Sequence, residues 1–192
     1  MHREIKLATQ ELHKELDHKI IMKRLMSSNV ALDDYKWFLY GNSIAYKLLE
    51  DTVYNKANDF FSDKNLNENK RLHLLMNDLN HFKNEGFPTL DVALPISISK
   101  ENVLGFLYVL EGSRLGAKYI AKHLVEKTDL KPEQLTFLNH NPSVIWNEVV
   151  EKLQSVDIRD TSKNIEGAIT AFKLFISIFE KLETVTNVYA KD

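Results

Sequence analysis

The spacing of its apolar residues is the feature of this sequence that most constrains the fold. Apolar side chains recur three, four or seven positions apart along almost the whole chain, as at Ile5, Leu12 and Leu16. Such spacing collects side chains on one face of an α-helix, whereas a half-buried β-strand needs strict alternation, which is nearly absent here. The sequence therefore predicts an all-α fold, in the form of a compact single-domain helical bundle.

Helix positions follow from the same spacing together with the residues that start and stop helices. Seven helices are predicted, at residues 2–26, 32–62, 66–84, 99–127, 131–139, 142–155 and 161–189. Ser99 is the expected N-cap of the fourth helix, and Pro132 and Pro142 stand where a proline is tolerated in a first turn. Residues 86–98 contain two further prolines and are predicted to form the longest loop.

The bulk composition is that of an ordinary globular protein. The chain has 192 residues, of which 44% are hydrophobic and 27% charged, so one domain over residues 1–192 is expected. The formal net charge of -2 does not favour the binding of polyanions, and we expect no nucleic-acid partner.

The sequence shows no membrane-spanning segment: the first residues are charged, and no run of about eighteen apolar residues occurs. We therefore expect a cytoplasmic protein with no membrane partner, and we take it to be a monomer.

The sequence contains no cysteine. Disulfides, thiolate metal sites, cysteine nucleophiles and cysteine-ligated iron–sulfur clusters are therefore all excluded. Any metal bound by this chain must be held by nitrogen or oxygen.

The first predicted helix carries a polar column beside its apolar stripe. Lys6, Thr9, His13 and Asp17 are spaced three, four and four residues apart, which places them on one side of the helix. An imidazole that binds a metal through one nitrogen needs its other N–H held, and Asp17 stands one turn from His13. The same spacing is also that of an exposed surface pair worth only a few tenths of a kcal/mol. Spacing alone leaves both interpretations open.

The fourth predicted helix is interrupted by glycine at positions 105, 112 and 116. Each glycine costs about 1 kcal/mol relative to alanine inside a helix. Gly112 and Gly116 are one turn apart on a single face, where bare backbone and the Ser113 hydroxyl would let a flat ligand approach closely. Two structural interpretations compete with a ligand site: a loop at Gly112 and Ser113, or a close helix crossing.

Two motifs carry a resemblance to a known family. Residues 5–17 contain Ala-Thr, three residues, His, three residues and Asp, and they resemble the proximal helix of haem oxygenases. Residues 107–116 read Leu-Tyr-Val-Leu-Glu-Gly-Ser-Arg-Leu-Gly and are similar to the distal helix of the bacterial, biliverdin-producing branch. A late helix with Phe172, Lys173 and Phe175 extends the resemblance over nearly the whole chain.

The resemblance implies a role for each matching residue. His13 would be the axial iron ligand, and Gly112, Ser113 and Gly116 would be the distal residues that face bound oxygen. The haem-binding residues would be Lys6, Thr9, Asp17 and Lys173. Asp17 would form a hydrogen bond with His13, and the two lysines would contact the haem propionates. Of the two lysines, Lys173 is the weaker candidate for a propionate contact.

The resemblance also implies a reaction. Haem (iron protoporphyrin IX) would be both cofactor and substrate, and O2 would open its ring to give biliverdin, free iron and carbon monoxide. Electrons would come from an external ferredoxin or NAD(P)H-dependent reductase, in agreement with the absence of a nucleotide-binding GxGxxG motif. Ser113 departs from the animal enzymes, which carry an acid there, and Ala117 replaces a glycine found in many relatives.

Two other functions remain open at the level of sequence. A haem carrier or sensor would use the same His13 without turnover. A non-haem di-iron oxygenase needs Glu-x-x-His twice on a similar bundle, and the chain offers it once at Glu15 and His18, with an imperfect second copy at Asp78 and His81.

Overall fold

A computed structural model describes residues 1–61, 64–82, 87–142, 144–155 and 161–186. All regular structure in these ranges is helical, which confirms the predicted all-α fold. The α-helices are α1 (His2–Asp17), α2 (Ile20–Leu25), α3 (Leu32–Ala57), α4 (Leu72–Asn80), α5 (Val103–Lys127), α6 (Thr136–Asn139), α7 (Trp146–Ser155) and α8 (Thr161–Thr186). Short 3₁₀ turns occupy Asn58–Phe60, Leu66–Asn69 and Pro132–Gln134. None of the helices in these ranges combines the length and apolar composition that a bilayer crossing requires.

The long helices α3, α5 and α8 form the centre of the bundle. α8 packs along both α5 and α1, and α3 packs on α4, α5 and α8. Their apolar faces meet in one core in which residues such as Leu49, Phe106 and Phe179 are almost fully buried. Full burial of one such side chain contributes about 1.5–3 kcal/mol, so this core is the main source of stability.

The crossing of α5 and α8 depends on two glycines. A Cβ atom at Gly105 would lie 1.9 Å from the Asn164 carbonyl oxygen, and one at Gly167 would lie 2.4 Å from the Asn102 carbonyl oxygen. The Gly105 N–H also donates to the Asn164 side chain at 3.0 Å. Both positions therefore require glycine because the two backbones touch there.

The prediction of one continuous helix over residues 2–26 is wrong. α1 ends before α2 begins, and Lys19 between them is extended, with φ -61° and ψ 145°. α8 stabilises the break, because Glu183 accepts a hydrogen bond from the Ile21 N–H at 3.1 Å and Glu180 pairs with Lys19. These contacts join residues far apart in sequence, and local spacing does not reveal them.

Several predicted helix starts are also wrong. The fourth predicted helix begins at Val103 rather than at residue 99, and its N-cap is Asn102. The Asn102 side chain accepts a hydrogen bond from the Ser99 N–H at 2.8 Å, so Ser99 belongs to the turn before the helix. Pro142 lies before α7 and not in its first turn, whereas Pro132 does open a helical turn as predicted.

The remaining predicted boundaries differ less. The helix predicted at 66–84 is a 3₁₀ turn followed by α4, and residues 83–84 lie outside the described ranges. Residues 87–98 of the predicted loop contain no helix, while residue 86 lies outside the description. The helix predicted at 161–189 is described as far as Thr186.

Candidate functional site

A cavity of about 560 Å³ opens between α1, α5 and α8. Its lining includes seven of the residues predicted to form the site, which are Lys6, Thr9, His13, Asp17, Gly112, Ser113 and Gly116. The two sequence motifs, which lie about a hundred positions apart, therefore meet at one cavity.

The walls of this cavity are mostly apolar. Phe172, Phe175 and Phe179 stand on one face of α8, and Phe38 and Phe137 come from other elements. Small-molecule sites typically combine such apolar walls with a few polar groups that fix orientation. The cavity therefore suits a large, mainly apolar ligand.

Lys173 does not take part in the cavity described here. It is exposed, and it is not among the described residues that line the cavity. Successive helix residues are rotated by about 100°. Because Phe172 and Phe175 face the cavity, Lys173 between them is turned towards solvent. The structure therefore does not place Lys173 in the cavity wall, and its contact with a propionate stays a prediction.

His13 is the only described histidine besides His2 that lines the cavity. Its Nδ1 lies 2.9 Å from Asp17 Oδ2, and its ring packs 5.7 Å from the ring of Phe172, measured between centroids. The hydrogen bond with Asp17 raises the pKa of His13, against the opposing effect of burial. In the neutral imidazole, a proton on Nδ1 donated to Asp17 leaves the Nε2 lone pair free for a metal.

The polar rim of the cavity lies along the first turns of α1. The Thr9 hydroxyl donates to the Ile5 carbonyl at 2.8 Å and is almost fully buried. Burial raises the pKa of the Tyr108 phenol, and a hydrogen bond with Thr9 partly offsets that rise. Burial and the neighbouring Lys6 ammonium lower the pKa of His2. Lys6 therefore supplies a positive charge at this rim, where Lys14 also lines the cavity, and Thr9 lies beside Tyr108.

Gly112 and Gly116 lie within α5, which runs as one helix from Val103 to Lys127. The alternative of a loop at Gly112 and Ser113 is therefore wrong. A Cβ at Gly112 would make only an ordinary 3.4 Å contact with the Trp146 ring, and a Cβ at Gly116 would meet nothing within 4 Å. A close helix crossing does not explain these two glycines either, and their bare backbone faces the cavity.

A polar group that the sequence did not reveal lies behind Ser113. Arg71 lines the cavity and is 1% exposed. Its Nη2 donates to Ser113 Oγ at 2.7 Å, to the Leu110 carbonyl at 3.1 Å and to the Tyr46 hydroxyl. No spacing pattern marks Arg71, because α3, α5 and α6 bury it only once the chain has folded.

A second buried network holds the opposite face of α5. Arg114 pairs with Glu111 at 2.6 Å and donates to His140 Nδ1 at 2.8 Å. It also donates to the Asn69 carbonyl, while the Tyr54 hydroxyl donates to Glu111. Burial and the charge of Arg114 lower the pKa of His140 to about 4. No spacing pattern in the sequence indicated this role for His140.

The comparisons with known proteins bear on these motifs. A family model described as Heme oxygenase matches residues 1–90 and 90–181 of the chain. The chain belongs to the haem oxygenase family. The fold of this haem oxygenase family member is similar to the crystal structure of the NO- and CO-bound heme oxygenase from Neisseria meningitidis, with a TM-score of 0.75 and 25% sequence identity. That match covers 93% of this chain and 89% of the other. No curated protein matches the chain.

The ligand set of a di-iron oxygenase is not assembled in the described ranges. No three histidine or carboxylate side chains there are placed to hold a metal ion together. Asp78, part of the imperfect second motif, is buried and accepts hydrogen bonds from Thr136 and Phe137. The family match and this geometry both argue against the di-iron alternative.

Proposed function

We propose that this protein is a haem oxygenase that opens the haem ring to biliverdin with O2, releasing iron and carbon monoxide. The observation that carries the proposal is that His13 on α1 and the glycine backbone of α5 line one apolar cavity. The family match supports the reaction class. Electrons would come from a separate ferredoxin or NAD(P)H-dependent reductase.

The residues present fit haem as the bound group. A single imidazole, a bare helix backbone and phenylalanine walls suit an iron porphyrin better than a hydrated metal ion. When bound, haem supplies the iron that binds and activates O2 and the ring carbon that is oxidised. His13 would hold the iron through Nε2, and Asp17 would keep the imidazole in the required tautomer.

The distal wall would control what reaches the iron from the other side. Because Gly112 and Gly116 carry no side chains, O2 and the ring edge can approach the helix backbone closely. Ser113 stands beside Gly112 and is held by Arg71, so a hydroxyl replaces the acid of the animal enzymes at this position. We propose that Gly112, Ser113 and Gly116 would form the distal wall of the haem site and would orient O2 there.

The rim would hold the two haem carboxylates. Lys6 lines the cavity and is the cation we assign to a propionate. Thr9 would position the Tyr108 phenol beside the ligand. The single domain over residues 1–192, the monomeric state and the cytoplasmic location stay predictions.

The ligand role of His13 is tested by H13A, with H18A as the matched control. His18 caps α1 and does not line the cavity, so H18A changes an imidazole outside the site. We expect H13A to lose the sharp Soret band of the haem complex and all turnover, because no other described imidazole stands where His13 does. Absorption titration with haem, followed by product identification, measures both effects.

H18A should keep the spectrum and the turnover of the unaltered protein. If H13A kept the Soret band and the turnover rate of the unaltered protein, His13 would not be the iron ligand. The alternative of a haem carrier or sensor predicts haem binding without ring opening. Wild-type protein that binds haem and forms no biliverdin with a ferredoxin system in air would favour that alternative.

A further inference from the structure

The short helix α6 forms part of the cavity wall. Two of its residues, Phe137 and Leu138, line the cavity and are only 3% exposed. The Phe137 ring packs 5.5 Å from the ring of Tyr46, measured between centroids, and the Tyr46 hydroxyl lies 3.4 Å from Ser113 Oγ. α6 therefore stands next to the part of α5 that we assign to the distal wall.

A helix as short as α6 cannot hold its own position. Isolated helices of this length do not persist in water, so contacts with the rest of the fold must fix them. α6 packs on α4 and α5. Its N-cap residue is Leu135, whose side chain offers no hydrogen-bond acceptor. The free N–H groups at the start of α6 therefore need an acceptor from another element.

Asp78 on α4 supplies that acceptor, and it is fully buried. Its Oδ1 accepts from the Thr136 N–H at 3.0 Å and from the Thr136 hydroxyl at 2.5 Å. Its Oδ2 accepts from the Phe137 N–H at 2.8 Å and from the Tyr35 hydroxyl at 3.3 Å. One carboxylate therefore fixes the first two residues of α6, which lie 58 and 59 positions further along the chain.

The Asp78 carboxylate depends on these donors. Among the residues that the structure describes, no lysine or arginine forms an ion pair with it, so hydrogen bonds alone compensate for its burial. A short side chain that bonds two successive residues leaves α6 little freedom to shift. Because one of the bonded N–H groups belongs to Phe137 itself, any displacement of the carboxylate moves the backbone that carries this cavity-lining ring.

We propose that Asp78 is a positioning residue of the haem cavity, which fixes α6 so that Phe137 limits the size of the ligand on the distal side of the iron. Asp78 does not itself line the cavity, so it acts only through α6. The inference rests on the proposed function, because the ligand must be held by haem iron in this cavity. It gives the buried Asp78 a task outside the di-iron motif.

Binding of methyl and n-butyl isocyanide to the ferrous haem complex tests this proposal. Both ligands bind iron through the same group and differ only in chain length. The Kd of n-butyl isocyanide divided by that of methyl isocyanide therefore measures the space beside the iron. Relative to the unaltered protein, F137A should lower this ratio at least about tenfold and D78N at least about fivefold. T136S keeps the hydroxyl and the N–H donors, and its ratio should stay within about twofold.

The double variant D78N/F137A distinguishes positioning from a general loss of stability. If Asp78 acts through Phe137, the double variant should match F137A within about twofold, because the two effects are not independent. D34N is the matched control. Asp34 is also a buried aspartate, 1% exposed, but it accepts from the Ala31 N–H at 2.8 Å at the start of α3 and does not line the cavity. D34N should lower stability and leave the ratio unchanged.

Hydrogen exchange in the haem-free protein gives a second readout. The Phe137 amide should exchange at least about tenfold faster in D78N than in the unaltered protein, because its acceptor is weakened. In D34N its exchange rate should not change. Equal exchange rates in D78N and the unaltered protein would show that Asp78 does not hold α6, whether or not the protein binds haem.

The isocyanide ratios give the remaining outcomes. An unchanged ratio in D78N or in F137A would overturn the proposal, and so would a double variant whose change equals the product of the two single changes. Should D78N fail to load haem, T136V replaces it, since valine removes only the hydroxyl donor. T136V should lower the ratio at least about threefold, and an unchanged ratio there would also overturn the proposal. Unaltered protein that loads no haem contradicts the proposed function instead.

Discussion

At the residue scale, two histidines with opposite pKa shifts show how differently an imidazole is used on the two sides of the bundle. His13 has a carboxylate partner, which raises its pKa and holds its Nδ1. His140 faces the guanidinium of Arg114, and burial together with that charge lowers its pKa. The resemblance of residues 5–17 to a haem oxygenase proximal helix predicted His13 at the site, whereas its spacing from Asp17 left an exposed surface pair open. The sequence could not predict the environment of His140, because Arg114 is 26 residues away in sequence and contacts it only in the folded chain.

The low pKa of His140 predicts a loss of stability in mild acid. The unfolded imidazole, with an ordinary value of 6.5, takes up a proton as the pH falls, whereas the folded one resists protonation until about pH 4. Stability from this group is therefore complete above pH 6.5 and is lost between pH 6.5 and 4. Urea unfolding at pH 7.5 and pH 5 should show a larger drop for the unaltered protein than for H140Q. Equal drops in the two proteins would contradict the assignment.

At the element scale, α5 uses its glycines for two different purposes. Gly105 allows the close crossing with α8, and Gly112 and Gly116 leave bare backbone at the cavity. The sequence predicted the helix and marked all three glycines, but spacing could not say which served packing and which served a ligand. That distinction depends on the position of Asn164 on α8. The break between α1 and α2 could not be predicted from spacing either, because it depends on the hydrogen bond that Ile21 donates to Glu183 on α8.

Replacing Gly105 tests the packing role. G105A puts a methyl group 1.9 Å from the Asn164 carbonyl, so α5 and α8 must separate. We expect a loss of about 1–3 kcal/mol in the free energy of unfolding, as for other overpacked sites. Gly116 is the matched control, since G116A adds its methyl group in open space and should gain up to about 1 kcal/mol from helix propensity. A tolerated G105A would show that the crossing is not as close as described.

Replacing Gly116 by a bulky residue tests the distal role. G116L adds a side chain where nothing lies within 4 Å, so the fold should remain intact while the cavity is narrowed. We expect thermal stability within a few degrees of the unaltered protein and little or no biliverdin. Normal biliverdin yield from G116L would remove Gly116 from the distal wall. A variant that fails to fold would place Gly116 in the core instead.

At the scale of the whole molecule, the bundle joins two sequence motifs that have no local relation to each other. α1 and α5 both pack on α8, and this shared neighbour brings His13 and the α5 glycines to one cavity. The motifs and the helical class could be predicted because they are properties of short segments. Arg71 and its contacts could not, since they depend on how three helices surround one side chain. Lys173 was expected at the site from the resemblance alone, and its exposed position could not be predicted from spacing because its helix face is set by the packing of α8.

A crystal structure of the haem complex tests the central claim most directly. We predict haem between α1 and α5, with His13 Nε2 bound to iron on one side and the backbone of Gly112 and Gly116 on the other. Asp17 should still hold His13 Nδ1. Iron bound to any other residue, or haem outside the cavity between α1, α5 and α8, would contradict the account.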